Sequence, residues 1–377
     1  MNKLKTYVIR VCYKYLLRPL LFLLEPEFVH NSFIFIGKIL GKYRLTKSVT
    51  KVLFSYHRHD LEQTILGISF KNPVGLAAGF DKDANLVNIV EDVGFGFTQV
   101  GTITTNPYGG NPKPRLYRLP LSKGAVVYYG LKNIGVQAII NKLKLSLSKK
   151  IPLGISIGKT TSPETVDTEK GMEDYYRCLK KIINSNIGDF YIINISCPNA
   201  FGGEPFTTPE RLAQLLESVA TIKKNKPLFL KMPINTKWED FKELLKVVIK
   251  YKINGVIIGN LNKNHKDQSI KDKIPLQIKG GISGKPTWKL SNDLIAKTYK
   301  NYGDRLVIIG VGGIFSAKDA YIKINLGASL VALITGLVYE GPQLVGEINK
   351  GLVELLKLDG FNYIHEAIGA YYKQKEL

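Results

Sequence analysis

Beyond residue 60 the chain alternates short apolar, β-branched runs with longer amphipathic stretches. The apolar runs cover residues 72–79, 97–104, 152–158, 190–196, 227–233, 255–260, 305–312 and 329–336, each of a length that suits a buried strand. Between several of them lie patterns such as RLAQLLESVATIKK and WEDFKELLKVVIKY, where apolar residues return every three or four positions as on one face of a helix. Strands alternating with helices predict an α/β chain, and the count of eight favours a (β/α)8 TIM barrel closed by right-handed crossovers. An open doubly wound sheet is the alternative.

The first 45 residues follow another pattern. Residues 1–24 contain no Asp or Glu, and apolar clusters there alternate with Lys and Arg. No run reaches the roughly 20 apolar residues of a spanning helix. Pro19 and the Glu25–Pro26 pair cut the segment into short helices of the kind that lie in a membrane interface. The expected organisation is therefore an N-terminal amphipathic, membrane-associating helical extension over 1–45 and a barrel over 46–377. Charges interrupt the apolar stretch and no small-residue cleavage site follows, so a secretory signal fits poorly. A helical cap on a soluble domain and an organelle transit segment remain open alternatives.

Composition narrows the picture further. The chain has 377 residues, 45% of them hydrophobic, enough for a large core. Cys12, Cys178 and Cys197 form neither a disulfide framework nor a zinc-ligand spacing, so a reducing compartment and no metal are expected. The net charge of +22 favours anionic surfaces. Its lysines are scattered and lack the interleaved aromatics that stack bases, which argues against nucleic acid and leaves phospholipid or simply a solvated Lys-rich surface.

In a barrel of this kind the chemistry sits at the C-terminal ends of the strands. Polar and glycine residues gather there: Ala78, Gly79 and Lys82, then Gly101 and Thr102, Lys159 and Thr160, Asn194, Cys197 and Asn199, Lys231, Asn260, Gly310, Gly312 and Gly313, and finally Thr335 and Gly336. Glycines after the seventh strand, with GGISG at 280–284 nearby in sequence, let backbone N–H groups approach an anion. A phosphate-bearing cofactor is the expectation, with Lys231 a cation able to stabilise a reduced flavin ring.

Taken in order, FKNPVGLAAGFDKD, GFGFTQVGTIT, GNPKPRLYRLP, INISCPN, GGISGKP, IIGVGGI and GASLVALITG resemble the dihydroorotate dehydrogenases. The extension with EPEFVH is similar to that of the membrane-associated, quinone-reducing class 2 of that family. The resemblance implies FMN as cofactor, dihydroorotate and orotate as substrate and product, a membrane quinone as acceptor, and a place in de novo pyrimidine synthesis. It implies a peripheral membrane location, on the cytoplasmic face of a bacterial inner membrane or on the mitochondrial inner membrane of a eukaryote. Among residues, it implies Cys197 as catalytic base. Lys82, Asn194, Asn199, Asn260 and the backbone at Gly130 and Leu131 would bind substrate. Ala78, Gly79, Thr102, Asn194, Lys231, Gly284, Gly312, Gly313, Thr335 and Gly336 would bind FMN. Lys71 is the expected basic residue facing the quinone. A divergent FMN barrel acting on another cyclic amide or acceptor is the alternative.

The chain also departs from the family pattern. Class 2 members usually carry serine where Cys197 stands, and a thiol's lower reference pKa predicts a rate that rises at lower pH than in a serine enzyme. Val127 occupies the place of an asparagine, with Tyr128 in place of the basic residue after it. Thr160 likewise replaces an asparagine, and Gly259 a flavin-contacting threonine. A lost charge-assisted hydrogen bond is worth roughly 1.5 to 3 kcal/mol unless Tyr128, Tyr129 or Lys132 substitutes.

Overall fold

The computed structural model describes residues 3–146 and 151–373. All eight expected apolar runs contribute the strands of one closed parallel barrel. They are β1 (Val74–Leu76), β2 (Phe97–Ile103), β3 (Leu153–Ile157), β4 (Phe190–Asn194), β5 (Leu228–Met232), β6 (Gly255–Ile258), β7 (Val307–Val311) and β8 (Leu330–Leu333). Each strand pairs with its neighbour in sequence, and β8 closes onto β1. The barrel is the α/β architecture that the alternating pattern predicts, and no open edge remains.

The barrel interior is packed by size complementarity. Rings of Phe97, Phe190 and Phe229 fill the centre, and each lies where the adjoining strand has a glycine. A Cβ at Gly75 would meet the Phe97 ring at 2.2 Å, one at Gly154 the Phe190 ring at 2.4 Å, and one at Gly255 the Phe229 ring at 2.6 Å. Each buried phenylalanine is worth about 1.5 to 3 kcal/mol of transfer free energy, available only because these neighbours lack side chains. A short antiparallel hairpin, Gln63–Ile65 with Ile68–Phe70, plugs the N-terminal end, where Phe70 meets Phe97 edge to face. At the other end a three-stranded antiparallel sheet, Leu116–Leu119, Gly124–Val127 and Gly281–Gly284, stands over the strand ends. This sheet is not visible in the sequence pattern, because the GGISG run expected as a phosphate loop is itself one of its strands.

The extension is helical through Phe54: α1 (Lys3–Val11), α2 (Arg18–Leu23), α3 (Pro26–Leu40) and α4 (Arg44–Phe54). The boundary expected after residue 45 falls at the start of α4. Pro19 does not break the chain. It sits in the first turn of α2, where its missing N–H costs little, and a π-helical segment, Cys12–Leu17, precedes it. The break comes instead at Glu25, whose carboxylate caps α3 by accepting from the Glu27 and Phe28 amides, with Pro26 opening the helix.

The first helices grip the segment that follows β8. Lys14 pairs with Glu340, Tyr13 Oη donates to the Val338 carbonyl at 2.8 Å, Arg18 Nη1 donates to the Tyr339 carbonyl at 3.0 Å, and Phe22 packs edge to face on Tyr339. Their other faces stay exposed, with Leu4, Tyr7, Tyr15, Leu16, Leu20 and Leu23 from the first helices and Phe28, Phe35, Ile36 and Ile39 from α3. No helix among the described residues is long and apolar enough to cross a membrane.

Candidate active site

One cavity of about 550 Å³ runs from the ends of the barrel strands to a mouth between α2, α3 and α4. Its inner wall carries sixteen of the seventeen residues expected from sequence: Cys197, Lys82, Gly130, Leu131, Asn194, Asn199, Asn260, Ala78, Gly79, Thr102, Lys231, Gly284, Gly312, Gly313, Thr335 and Gly336. Its outer wall is apolar, with Leu21, Phe22, Val29, Phe33, Ile36 and Leu40. The described residues contain no cluster of side chains suited to hold a metal ion.

Lys71 is the residue not brought there. It lies just before β1, at the N-terminal end of the barrel and therefore opposite the cavity, and its ammonium pairs with Glu91 at 2.5 Å on the surface. The basic side chain on the apolar wall is Arg118, which donates to the Phe22 and Leu24 carbonyls and stacks on the Phe22 ring. His30 also lines this part of the cavity. Both stand in stretches whose family likeness was legible, RLYRLP and EPEFVH, but their places on one cavity wall depend on contacts distant in sequence.

Two asparagines, Asn194 and Asn260, and three hydroxyls, Thr102, Ser156 and Ser196, form a connected layer beside Cys197, with Asn199 held separately. Asn194 Nδ2 donates to Thr102 Oγ1 at 2.8 Å, and Thr102 shares a 3.0 Å hydrogen bond with Ser156. Asn194 Oδ1 accepts from the Ser196 amide, and Asn260 donates to Ser196 Oγ at 2.7 Å. Asn199 donates to the Val127 carbonyl at 2.7 Å. Asn194 and Asn199 each have a second amide hydrogen to offer a ligand, whereas Asn260 donates to both the carbonyl and the hydroxyl of Ser196 and leaves its own Oδ1 as the ligand-facing group. On the opposite side, Gly130 and Leu131 both have φ near +66°, at 67° and 66°, uncommon for a leucine. Thr161 holds the Gly130 carbonyl and Asn133 the Leu131 carbonyl, which fixes this turn.

Three groups here titrate away from their usual ranges. Burial pushes the Lys82 ammonium down to about 8, and it pushes Lys231, whose interaction with Cys197 opposes the shift, down to about 8 as well. Burial pushes the Cys197 thiol up, opposed by the backbone N–H of Asn199 and by Lys231. Burial thus places the ionisation of this cysteine above that of a free one.

Of the departures, Val127 lines the cavity while its carbonyl serves Asn199. Thr160 is not on the cavity wall; its hydroxyl accepts from the Asn106 amide and its own amide donates to Asp174. Lys132 does line the cavity, yet its ammonium lies 3.6 Å from Glu27 of α3. Gly259 has φ 145°, and a Cβ there would meet the Val311 carbonyl oxygen at 2.2 Å, so this backbone admits no threonine.

A family model described as dihydroorotate dehydrogenase matches residues 60–356. The chain belongs to the dihydroorotate dehydrogenase family. A relative from Nostoc punctiforme named dihydroorotate dehydrogenase (quinone) is 36% identical over 380 residues, covering 97% of this chain and 99% of its own. One of the same name from Christiangramia forsetii is 37% identical, covering 91% of this chain and 99% of its own. The crystal structure of an Eimeria tenella dihydroorotate dehydrogenase in complex with ferulenol superposes with a TM-score of 0.79 at 27% identity, covering 92% of this chain and 96% of that one. Both named relatives are matched nearly end to end, so the likeness to the dihydroorotate dehydrogenases includes the helical extension as well as the barrel.

Proposed function

We propose that this chain oxidises dihydroorotate to orotate in pyrimidine synthesis, with FMN as resident cofactor and a membrane quinone as acceptor. The observation that carries the reading is the single cavity joining Cys197 and Lys231 at its polar end to an apolar mouth between the helices of the extension. A water-soluble acceptor needs no such mouth.

The residues present fit FMN. At Gly79, φ 109°, an added Cβ would find only Ile334 Cδ1, at 3.7 Å, so a side chain would occupy the cavity that the cofactor needs. Gly312 and Gly313 just after β7, with Gly284, Thr335 and Gly336, would offer backbone amides to its phosphate, and the charge that acts on buried Lys231 is that of Cys197 rather than a carboxylate. Held there, FMN would supply hydride-accepting chemistry for substrate C6 and electron-donating chemistry for a quinone.

The chain's own residues do the rest. Cys197, as thiolate, takes the proton from C5, and the departure of both hydrogens leaves the C5=C6 double bond of orotate. Asn194, Asn199 and Asn260 orient the ring through its amide edge, while Lys82 and the fixed turn at Gly130 and Leu131 receive the carboxylate. Arg118 and His30, rather than Lys71, stand beside the route a quinone head would take.

The exposed apolar faces of the extension, interspersed with exposed Lys38, Lys42, Arg44 and Lys51, support peripheral seating on an anionic bilayer. In a bacterium that would be the cytoplasmic face of the inner membrane, and in a eukaryote the mitochondrial inner membrane.

The test is anaerobic addition of dihydroorotate to detergent-purified protein while the flavin absorbance is followed. Bleaching, then reoxidation on adding a quinone, is the expected result. A bound flavin that stays oxidised would overturn the substrate, favouring another cyclic amide, and a gently extracted preparation that neither holds flavin nor takes up added FMN would overturn the reading altogether.

A further inference from the structure

Glu27 is the one acidic side chain that α3 buries, at 2% exposure, and it points toward the barrel. Its Oε1 receives two cations, Arg115 Nη1 at 3.1 Å and Lys132 Nζ at 3.6 Å. Its Oε2 is buried with no hydrogen-bond partner. Burying a carboxylate is costly, and a buried ion pair seldom stabilises a fold more than a well-packed apolar pair would. The cost is better explained by what the cations then hold.

Arg115 is not an end point. Its Nε donates to the Asn111 carbonyl at 2.5 Å, and its own carbonyl accepts from the Tyr128 amide at 2.8 Å. The Asn111 side chain accepts from Tyr108 Oη at 2.7 Å and donates to the Asn199 carbonyl at 3.0 Å. Asn199 in turn donates to the carbonyl of Val127. An unbroken set of charge-assisted and neutral hydrogen bonds thus leads from the helical extension to an amide on the polar wall of the cavity. Lys132, the second cation, belongs to the turn that includes Gly130 and Leu131.

We propose that Glu27 is a positioning residue for the substrate: its buried carboxylate holds Arg115 and Lys132 so that Asn111 and Asn199 on one side, and the turn at Gly130 and Leu131 on the other, stay in the geometry that binds the ring. The inference rests on the function proposed above. It adds that the extension is part of the substrate site as well as the acceptor's doorway. Because Val127 stands where the family pattern has an asparagine, the pocket depends more heavily on Asn199, and hence on what fixes Asn199.

The experiment uses the full chain in detergent with its cofactor bound. Orotate affinity is measured by equilibrium dialysis for the wild type, Glu27→Gln and Arg115→Lys, alongside steady-state KM and kcat for dihydroorotate and the thermal midpoint. Glu27→Gln keeps the shape and removes the charge. Arg115→Lys keeps the charge and removes the Nε that reaches Asn111. The expected result is a loss of orotate affinity of about five-fold or more in each, in the range of ordinary coupling energies, with a matching rise in KM and kcat within about two-fold. A double variant with Asn111→Ala should lose less than the sum of the single effects.

Folded variants that bind orotate within about two-fold of wild type would overturn the proposal, whatever their thermal midpoints. Should Glu27→Gln fail to fold, Arg115→Lys decides by the same criterion. A wild type that binds flavin but no orotate would instead overturn the proposed function and remove the basis of this inference with it.

Discussion

His30 Nε2 on α3 lies 3.3 Å from Lys82 Nζ, which also stands 3.9 Å from the centre of the Tyr129 ring. Burial, together with the Lys82 and Lys132 charges, holds the imidazole well below its ordinary range, so at neutral pH it is uncharged and accepts from the ammonium. An uncharged acceptor and a ring face together orient Lys82 without cancelling its charge, which is what a receiver for a carboxylate requires.

Orotate affinity should therefore follow the Lys82 charge. Its pKa in the free protein is about 8, so the cation is present below that value and lost as pH rises through it. Affinity measured by dialysis should be flat from pH 6 to 7.5 and then fall by up to about ten-fold per pH unit. Lys82→Met should remove the dependence and weaken binding by about ten- to a hundred-fold, the worth of one charge-assisted hydrogen bond. A binding curve that stays flat to pH 9.5 would place the carboxylate elsewhere.

Alkylation separates the cysteines. Cys178 is fully buried, Cys12 is exposed, and Cys197 opens on the cavity with its thiol pushed up by burial. The rate of iodoacetamide modification at Cys197 should reach half its maximum above the ordinary range of a cysteine thiol, and orotate should protect it. Cys197→Ala should slow flavin reduction by about 10²- to 10⁴-fold, the usual contribution of a general base, while leaving orotate affinity within a few-fold. A preserved reduction rate would move the base to another group.

Gly259→Thr restores the residue type the family pattern expects, but should not restore a contact. Its φ of 145° and the Val311 carbonyl at 2.2 Å from an added Cβ make any side chain strained there. Loss of about 1 to 3 kcal/mol of stability is expected in denaturant unfolding, with flavin held less tightly. Equal stability would mean that the loop after β6 relaxes freely.

Leu20→Glu with Leu23→Glu changes two side chains that are 62% and 83% exposed and lie off the cavity wall. Flotation with anionic vesicles should be lost, whereas dihydroorotate oxidation with a water-soluble dye should be retained. Vesicle binding that survives would assign the lipid contact to the other exposed apolar side chains of the extension.

The barrel was legible because a strand buried on both faces must be written as a continuous apolar run, and the wall of the cavity because chemistry collects where such runs end. What the sequence concealed are relationships between distant segments. Glu27 and Arg115 are 88 positions apart and Lys82 and His30 52 apart, and neither spacing carries a periodic signal. Lys71 was misplaced because a basic residue beside a matched motif says nothing about which end of the barrel it occupies. The neighbours of Cys197 were enough to place it on the cavity wall, but its ionisation depends on burial that no motif records.

The grip of the first helices on the segment after β8 joins two properties usually treated apart. Tyr13, Lys14, Arg18 and Phe22 hold residues 338–340, in the same short helix that begins with Thr335 and Gly336. A wash or detergent harsh enough to peel that stretch from the barrel loosens the proposed phosphate anchor along with the lipid contact. On the proposed function, partial flavin occupancy in a purified sample would then record how harshly the protein was extracted, and only a gently extracted sample that neither holds nor rebinds flavin would count against the cofactor.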